Sequence, residues 1–381
     1  MTNDNRRLNS YFSIKIQNKK SLMMKTKILL SITFLLCLGL QINIYGQGCI
    51  AVRHMSCATG GIKNTSTALT KGEIQFTTGY RYLHSYKHFV GKVEQTQRVA
   101  EGTQVINNSH SFDFGLSFAL SNRLSIAFNL PYNDNARSSL YEHYGNGVEG
   151  NPDHLRFLTY SKGIGDLRVS ATYWMLDPLK HMNGNLAISL GVKAPTGDPN
   201  VKDDFHRLDK NKKEYIQNKT VDQSIQLGDG SWGANVELQG YQALIKNTAV
   251  YFNGFYLFSP ANINPLTNLS VADQYAARLG LNYSILPHQG IAVSFGGRIE
   301  GLPAIDLIGK SEGSRRPGYI ISLEPGIYLQ TGHHTFAFNV PIAVERNRIK
   351  SWSDLQDPAG LKHGDAAFAD YLISATYSYR F

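Results

Sequence analysis

Histidine, cysteine and serine are the side chains whose spacing invites a test for chemistry. Twelve His are scattered over the 381 residues. His84 and His88 stand four apart, which on an extended chain separates them by roughly 13 Å, too far to share one metal. His333 and His334 are adjacent, so on an extended chain they point opposite ways. Cys49 and Cys57 are free to pair in an oxidising compartment, but with His54 they offer too few ligands for a zinc site. No G-x-S-x-G, H-E-x-x-H or phosphate-loop pattern occurs. We therefore expect no metal, no cofactor and no catalytic residue.

What remains is a set of charged and amide side chains, each set between apolar ones. Asp113 stands between Phe112 and Phe114, and Asp166 and Arg168 flank Leu167. Asn235 and Glu237 alternate with Val236 and Leu238. Arg278, Arg298, Glu324 and Arg380 sit in similar runs. A period of two is that of a strand with one greasy and one wet face. Such runs recur twelve times, at about 73–84, 110–120, 123–132, 165–175, 185–193, 232–244, 248–258, 275–286, 291–300, 319–330, 334–345 and 369–381. The connectors between them alternate strictly between long and short. A soluble sandwich has no reason to gather every long loop at one end, whereas a barrel in the outer membrane does. In hydrocarbon every backbone polar group needs an internal partner, so a closed sheet can span. The prediction is an all-β, transmembrane, antiparallel up-and-down barrel of about 12 strands over 71–381. Its greasy face points to lipid, and the nine polar residues just named line the lumen. Tyr80, Tyr82, Tyr132, Tyr173, Tyr256, Tyr283, Tyr319, Tyr377 and Tyr379 fall near strand ends, as an interfacial aromatic belt requires.

Composition agrees. Only 18 % of residues are charged, with 21 Tyr, 18 Phe and 35 Gly, which suits strands and tight turns. The formal charge of +9 resides mostly in residues 1–46. Without them 31 basic side chains face 28 acidic ones, so nucleic-acid binding loses its support. A basic start at Met24–Lys27, an apolar run to Leu40 and small Gly46 read as a cleaved secretory signal within an N-terminal extension 1–46. Residues 47–70 follow as a polar periplasmic segment, where a Cys49–Cys57 disulfide is expected.

The final strand resembles the closing strand of bacterial outer-membrane barrels. In that family its aromatics, here Tyr377, Tyr379 and Phe381, are the signal read by the barrel-assembly machinery. A second resemblance rests on Gly191-Val-Lys-Ala-Pro-Thr-Gly-Asp198 and Asp222-Gln-Ser-Ile-Gln-Leu-Gly-Asp-Gly-Ser-Trp-Gly233. This pair is similar to motifs of the phenol-degradation meta-pathway (MetA-type) transporters, distantly like fatty-acid and aromatic-hydrocarbon channels. It implies an outer-membrane channel passing small molecules, including apolar or aromatic ones, by passive diffusion. The expected partners are lipid, lipopolysaccharide and a small solute. Segment 47–70 is too short for the lumen-filling hatch of the fatty-acid channels. Within the motif, Pro195, Thr196, Gly197, Asp198, Gly228, Asp229 and Gly230 read as loop punctuation, and Trp232 as an outer aromatic anchor; a binding role is the alternative. Two other functions stay open. One is an outer-membrane lipid hydrolase, although no strand joins Ser and His on the lipid side. The other is a surface-interaction barrel, whose long loop 198–229, rich in Asp and Lys, would bind a partner.

Overall fold

The computed structural model describes residues 68–381. The signal segment, the Cys49–Cys57 pairing and most of 47–70 lie outside the described residues. The wall is a closed antiparallel barrel of twelve strands. In chain order the strands are β1 (Ile74–Val90), β2 (Val93–Glu94), β3 (Ile106–Ala119), β4 (Leu124–Ser139), β5 (Phe157–Ile164), β6 (Leu167–Trp174) and β7 (Gly184–Ala194). There follow β8 (Lys202–Leu208), β9 (Glu214–Thr220), β10 (Gly233–Ile245), β11 (Thr248–Phe258), β12 (Gln274–Leu286), β13 (Ile291–Leu302), β14 (Gly318–Thr331), β15 (His334–Asn339), β16 (Ile342–Asn347) and β17 (Ala366–Arg380). β5 and β6 make one wall strand interrupted at Gly165, and β15 and β16 make another. β8 and β9 form a separate hairpin, and β2 is a short flap on β1. β17 closes the cylinder on β1, from Gln75↔Arg380 to Phe89↔Ala366.

The two faces are inverted relative to a soluble protein. Outward Phe114, Leu279 and Phe295 are 45 %, 61 % and 58 % exposed, while inward Asn253, Arg278 and Glu324 are 1 %, 5 % and 1 % exposed. Each strand keeps that parity because its side chains alternate. The turns at 120–123, 175–183, 246–247, 287–290 and 332–333 gather at the end that also carries Gln75 and Arg380. The connections at 91–105, 140–156, 195–232, 259–273, 303–317 and 348–365 gather at the other. We call these the lower and upper ends.

Three local departures from the sequence reading have physical causes. β4 runs on to Ser139 and pairs with β5, where a loop at 133–163 was expected. Both faces are polar there, so no greasy period marks the strand. The 195–232 connection carries the β8–β9 hairpin rather than plain loop. Finally, the expected strand 334–345 breaks at Val340–Pro341. Proline has no N–H to give the ladder. Beyond it β16 stays on β14 but pairs with β17 only at Ile342↔Tyr371. Along the rest of that seam side chains do the joining. Arg346 Nε donates to Ala369 O at 2.9 Å, and its Nη2 reaches Asp370 Oδ1 at 2.6 Å. Above the gap β16 leans toward β1, through a Lys92–Glu345 ion pair and the Gly91↔Arg348 bridge. Behind it sits a small apolar cluster of Phe89, Ile320, Ala366, Ala367 and Phe368, with Ala343 against it.

Candidate functional site

The lumen is built from the inward positions of all twelve wall strands. Its lower part holds a cavity of about 270 Å³ lined by hydroxyls, among them Thr77, Ser125, Ser170, Thr172, Ser374 and Ser378. Ala68 and Leu69 also line it, and Ala68 packs with Trp174, Ala187 and Tyr241. Across one side runs a charged rung. Arg278 Nη1 and Arg298 Nη1 donate to the two oxygens of Glu324, at 3.3 and 3.4 Å, and Arg298 Nη2 donates to Glu300 at 2.8 Å. Glu237 accepts from Asn253 Nδ2 at 2.6 Å. Charges so enclosed persist only when paired, since removing one partner of a buried pair costs about 3–5 kcal/mol. Asn235 is buried on the inner face of β10. Arg380 sits at the lower rim, where its Nε donates to Gln75 Oε1 at 3.1 Å.

Above this cavity the 195–232 loop folds into the barrel and forms a roof. A second cavity of about 90 Å³ lies between Asp113, Asn129, Asp166, Arg168 and Lys193 of the wall and Gln223, Gln226, Gly228 and Asp229 of the loop. Asp113 and Asn129 line both cavities. The paired motifs that flank the loop make its clamp. Lys193, 2 % exposed, donates to Asp166 Oδ2 at 3.0 Å and to Asp229 Oδ1. Gly197 N–H donates to Asp166 Oδ1 at 3.0 Å, and Gly228 N–H to Asp198 O at 3.1 Å. Thr196 Oγ1 donates to Gly165 O and accepts from Leu167 N–H, both at 2.8 Å. The two arms approach so closely that a Cβ on Gly197 would lie 2.7 Å from Leu227 O, and one on Gly228 would lie 2.6 Å from Gly197 O. Only glycine fits either place. Pro195 leads into this turn, Gly230 closes it at φ +76°, and Trp232, 63 % exposed, stands outside.

The crest of the loop is held by a second, wholly charged lock. Arg137, 2 % exposed, donates through Nε to Glu142 Oε2 at 2.9 Å, and its Nη2 lies 3.4 Å from Asp222 Oδ2. Arg316 grips both oxygens of Asp222, at 2.8 and 2.5 Å. Asp222 also accepts from Ser224 N–H at 3.0 Å, capping the short turn Gln223–Ile225. Burial alone would raise the Asp222 carboxyl, but Arg137 and Arg316 outweigh it and hold it well below the usual carboxylate range. Over this lock opens an upper vestibule of about 350 Å³, lined by Glu142, Phe205, Lys219, Asp222, Asn268 and Arg316. Gln223 borders both the vestibule and the middle cavity.

Asp113, Asp166, Arg168, Asn235, Glu237, Arg278, Arg298, Glu324 and Arg380 thus all lie on the inner side. They include a rung around Glu324, a clamp around Asp166, and Arg380 with Gln75 at the rim. Lys193, Arg137, Glu142, Asp222 and Arg316 were not anticipated as site residues. Lys193 carried a usable signal, since it continues the wet face of β7. Several histidines have structural partners. His88 Nδ1 lies 2.9 Å from Asp365 while its Nε2 accepts from Val105 N–H at 2.8 Å, and His334 Nδ1 lies 2.9 Å from Tyr377 Oη. Phe381 N–H donates to Ile74 O at 2.9 Å, which finishes the β17–β1 junction.

No protein-family model matches the chain, and no curated protein matches it. Solved structures do. An outer membrane channel from Pseudomonas putida F1 superposes with a TM-score of 0.55 at 14 % identity, over 86 % of this chain and 100 % of that one. The beta domain of the Bordetella autotransporter BrkA gives 0.43 at 12 %, over 82 % and 100 %. The CymD monoaromatic hydrocarbon channel gives 0.42 at 11 %, over 82 % and 89 %. At these identities the likeness is one of fold. The chain shares with the Pseudomonas channel the architecture of an outer-membrane β-barrel.

Proposed function

We propose that the protein is an outer-membrane channel for small solutes, with its constriction set by the infolded 195–232 loop. The observation that carries this reading is the series of three cavities, each sharing lining residues with the next. They mark a path from the upper mouth, past Gln223, then past Asp113 and Asn129, to the lower end. Passage along it is passive, down the solute's own gradient. On this reading the greasy wall spans a membrane whose outer leaflet is lipopolysaccharide. The closing strand, with Tyr377, Tyr379 and Phe381, is what the assembly machinery reads. The motif that resembles those of the meta-pathway transporters serves as the clamp that fixes pore size.

Planar-bilayer recording tests this. Gly228 N–H lies 3.1 Å from Asp198 O, so residues 199–227 can be replaced by a short Gly-Ser link without moving the strand ends. The intact protein is expected to pass a small current, and the loop-shortened protein one several-fold larger. No current from either overturns the proposal.

The β16–β17 seam favours a second reading for apolar solutes. A lumen lined by hydroxyls and ion pairs holds water and excludes apolar matter. The cluster around Phe89 and Phe368, set beside a stretch of wall joined mainly by side chains, offers such solutes a sideways exit into lipid. Ile342 and Tyr371 stand opposite one another there. Cross-linking Ile342→Cys to Tyr371→Cys is expected to block uptake of an apolar solute while leaving ion current unchanged, with reduction restoring uptake. Unaltered uptake after cross-linking removes this reading.

A further inference from the structure

The upper vestibule contains one cation, Lys219, that its acids do not pair with among the described residues. Glu142 is fully engaged: its Oε2 accepts from Arg137 and from Ser139 Oγ at 2.7 Å, and its Oε1 from Tyr141 Oη at 3.2 Å. Asp222 is held by Arg137, Arg316 and Ser224. Lys219 on β9 has no carboxylate within ion-pair distance among the described residues. Its ammonium rests 4.1 Å from the centre of the Phe205 ring. Arg207, on the same face of the hairpin, donates only to His143 O at 3.3 Å, and its buried Nε has no partner. Burial, and then the Arg207 charge, lower the Lys219 ammonium from its ordinary value, outweighing the opposing pull of Glu142 and Asp222. Around Lys219 the wall is apolar at Val221 and Leu269 and hydrogen-bonding at Asn268 and Ser314.

We propose that this vestibule is a capture site for a small carboxylate with a compact apolar body, its carboxylate bound by the Lys219 ammonium. A charge-assisted hydrogen bond would complete Lys219. The field of Arg207 would add to it, and the apolar body would cover Val221 and Leu269. The room, about 350 Å³, suits a single ring or short chain rather than a long one. The proposal rests on the channel reading only for its purpose. The site itself would bind whether or not the pore conducts.

Titration calorimetry on the full-length protein in nanodiscs, with benzoate as probe and benzyl alcohol as its neutral counterpart, tests it. Benzoate is expected to bind saturably and at least about tenfold more tightly than benzyl alcohol. Lys219→Gln should weaken benzoate about tenfold or more, while Lys219→Arg stays within a few-fold of the parent. Strand content by circular dichroism shows whether the variants fold. Should Lys219→Gln fail to fold, the benzoate-to-alcohol ratio on the parent protein decides alone. No saturable benzoate binding, equal affinity for the two probes, or a folded Lys219→Gln that binds unchanged overturns the proposal. Bilayer current recorded on the same preparation separates the two claims. Current without carboxylate preference sinks the capture site and spares the channel, and carboxylate preference without current does the reverse.

Discussion

Two sides of one cylinder are joined by different means. From β10 to β13 the main chain does the work, with partners at nearly every position, as in the run from Tyr275↔Gly301 to Ser284↔Ala292. At the β16–β17 seam one residue pair remains, and Arg346, reaching Ala369 O and Asp370, holds the remainder. The upper mouth belongs with the seam, because its loop is held by Lys193, Arg137 and Arg316. A main-chain ladder needs only the right alternation, so many sequences satisfy it. A side-chain junction depends on particular residues. Apart from the buried ion pairs around Glu324, single substitutions should therefore be mild along β10–β13 and severe at the mouth and seam.

The largest effect is expected from Asp222→Ala. It leaves Arg137, 2 % exposed, with Glu142 as its ion-pair partner, and removes the two hydrogen bonds that Arg316 makes to the Asp222 carboxylate. Breaking a buried pair costs about 3–5 kcal/mol. The crest of the loop should then leave the lumen and single-channel current should rise, while the barrel itself still resists unfolding. An unchanged current would place the mouth with the main-chain wall and dissolve the contrast.

Arg346→Ala should rank next. It strips Ala369 O and Asp370 of a shared donor, and a buried acceptor left unmatched costs about 1–3 kcal/mol. Urea unfolding in micelles should report this loss, and amide exchange should quicken in β16 but not in β12. Equal protection of both strands would show that the seam is as well joined as the rest.

The smallest effect concerns acid. His143 Nδ1 accepts the His206 N–H at 3.1 Å, which a protonated ring cannot do. Burial, eased by Glu142 and reinforced by His206, Arg207 and Lys219, lowers this imidazole to about 4. A depressed value means the contact is fully present above the ordinary histidine value near 6.5 and fades as pH falls toward 4. Asp222 is depressed as well, so its lock holds at those pH values and yields only below about 3.9, the ordinary Asp value. Exchange of the His206 amide, corrected for its intrinsic rate, should thus accelerate between pH 6.5 and 4, before any rise in current. An amide indifferent to pH, or a simultaneous change in both signals, would contradict this order.

The difference between wall and mouth also explains what could be read in advance. Phe112, Asp113 and Phe114 betray the wall because lipid and water impose opposite demands on alternate residues. Asp113, Glu237, Arg278, Arg298 and Glu324 line the lower cavity. Above the greasy belt the rule has nothing to act on. In Asn135-Ala136-Arg137-Ser138-Ser139 and in β8 and β9 both faces are wet, so no period survives and Arg137 looked like a loop residue. The Asp222–Arg316 contact joins residues 94 apart, a partnership set by how loops fold inward rather than by local pattern. Pro341 was visible, but the apolar run from Phe336 to Ile342 masked the break it causes.

The junction of β1 with β17 has a consequence for how the molecule comes into being. Thr77 Oγ1 meets Ser378 Oγ across 301 residues, whereas Tyr80 meets His110 across 30. Drawing the distant ends together costs roughly 2 kcal/mol more chain entropy than forming the nearby hairpin. Neighbouring hairpins repay their ordering as they form, but until the last seam zips the nascent sheet carries two sticky borders. Biogenesis therefore has one irreversible-looking moment, late and shared by the whole chain, and any helper that shields those borders until then decides the yield.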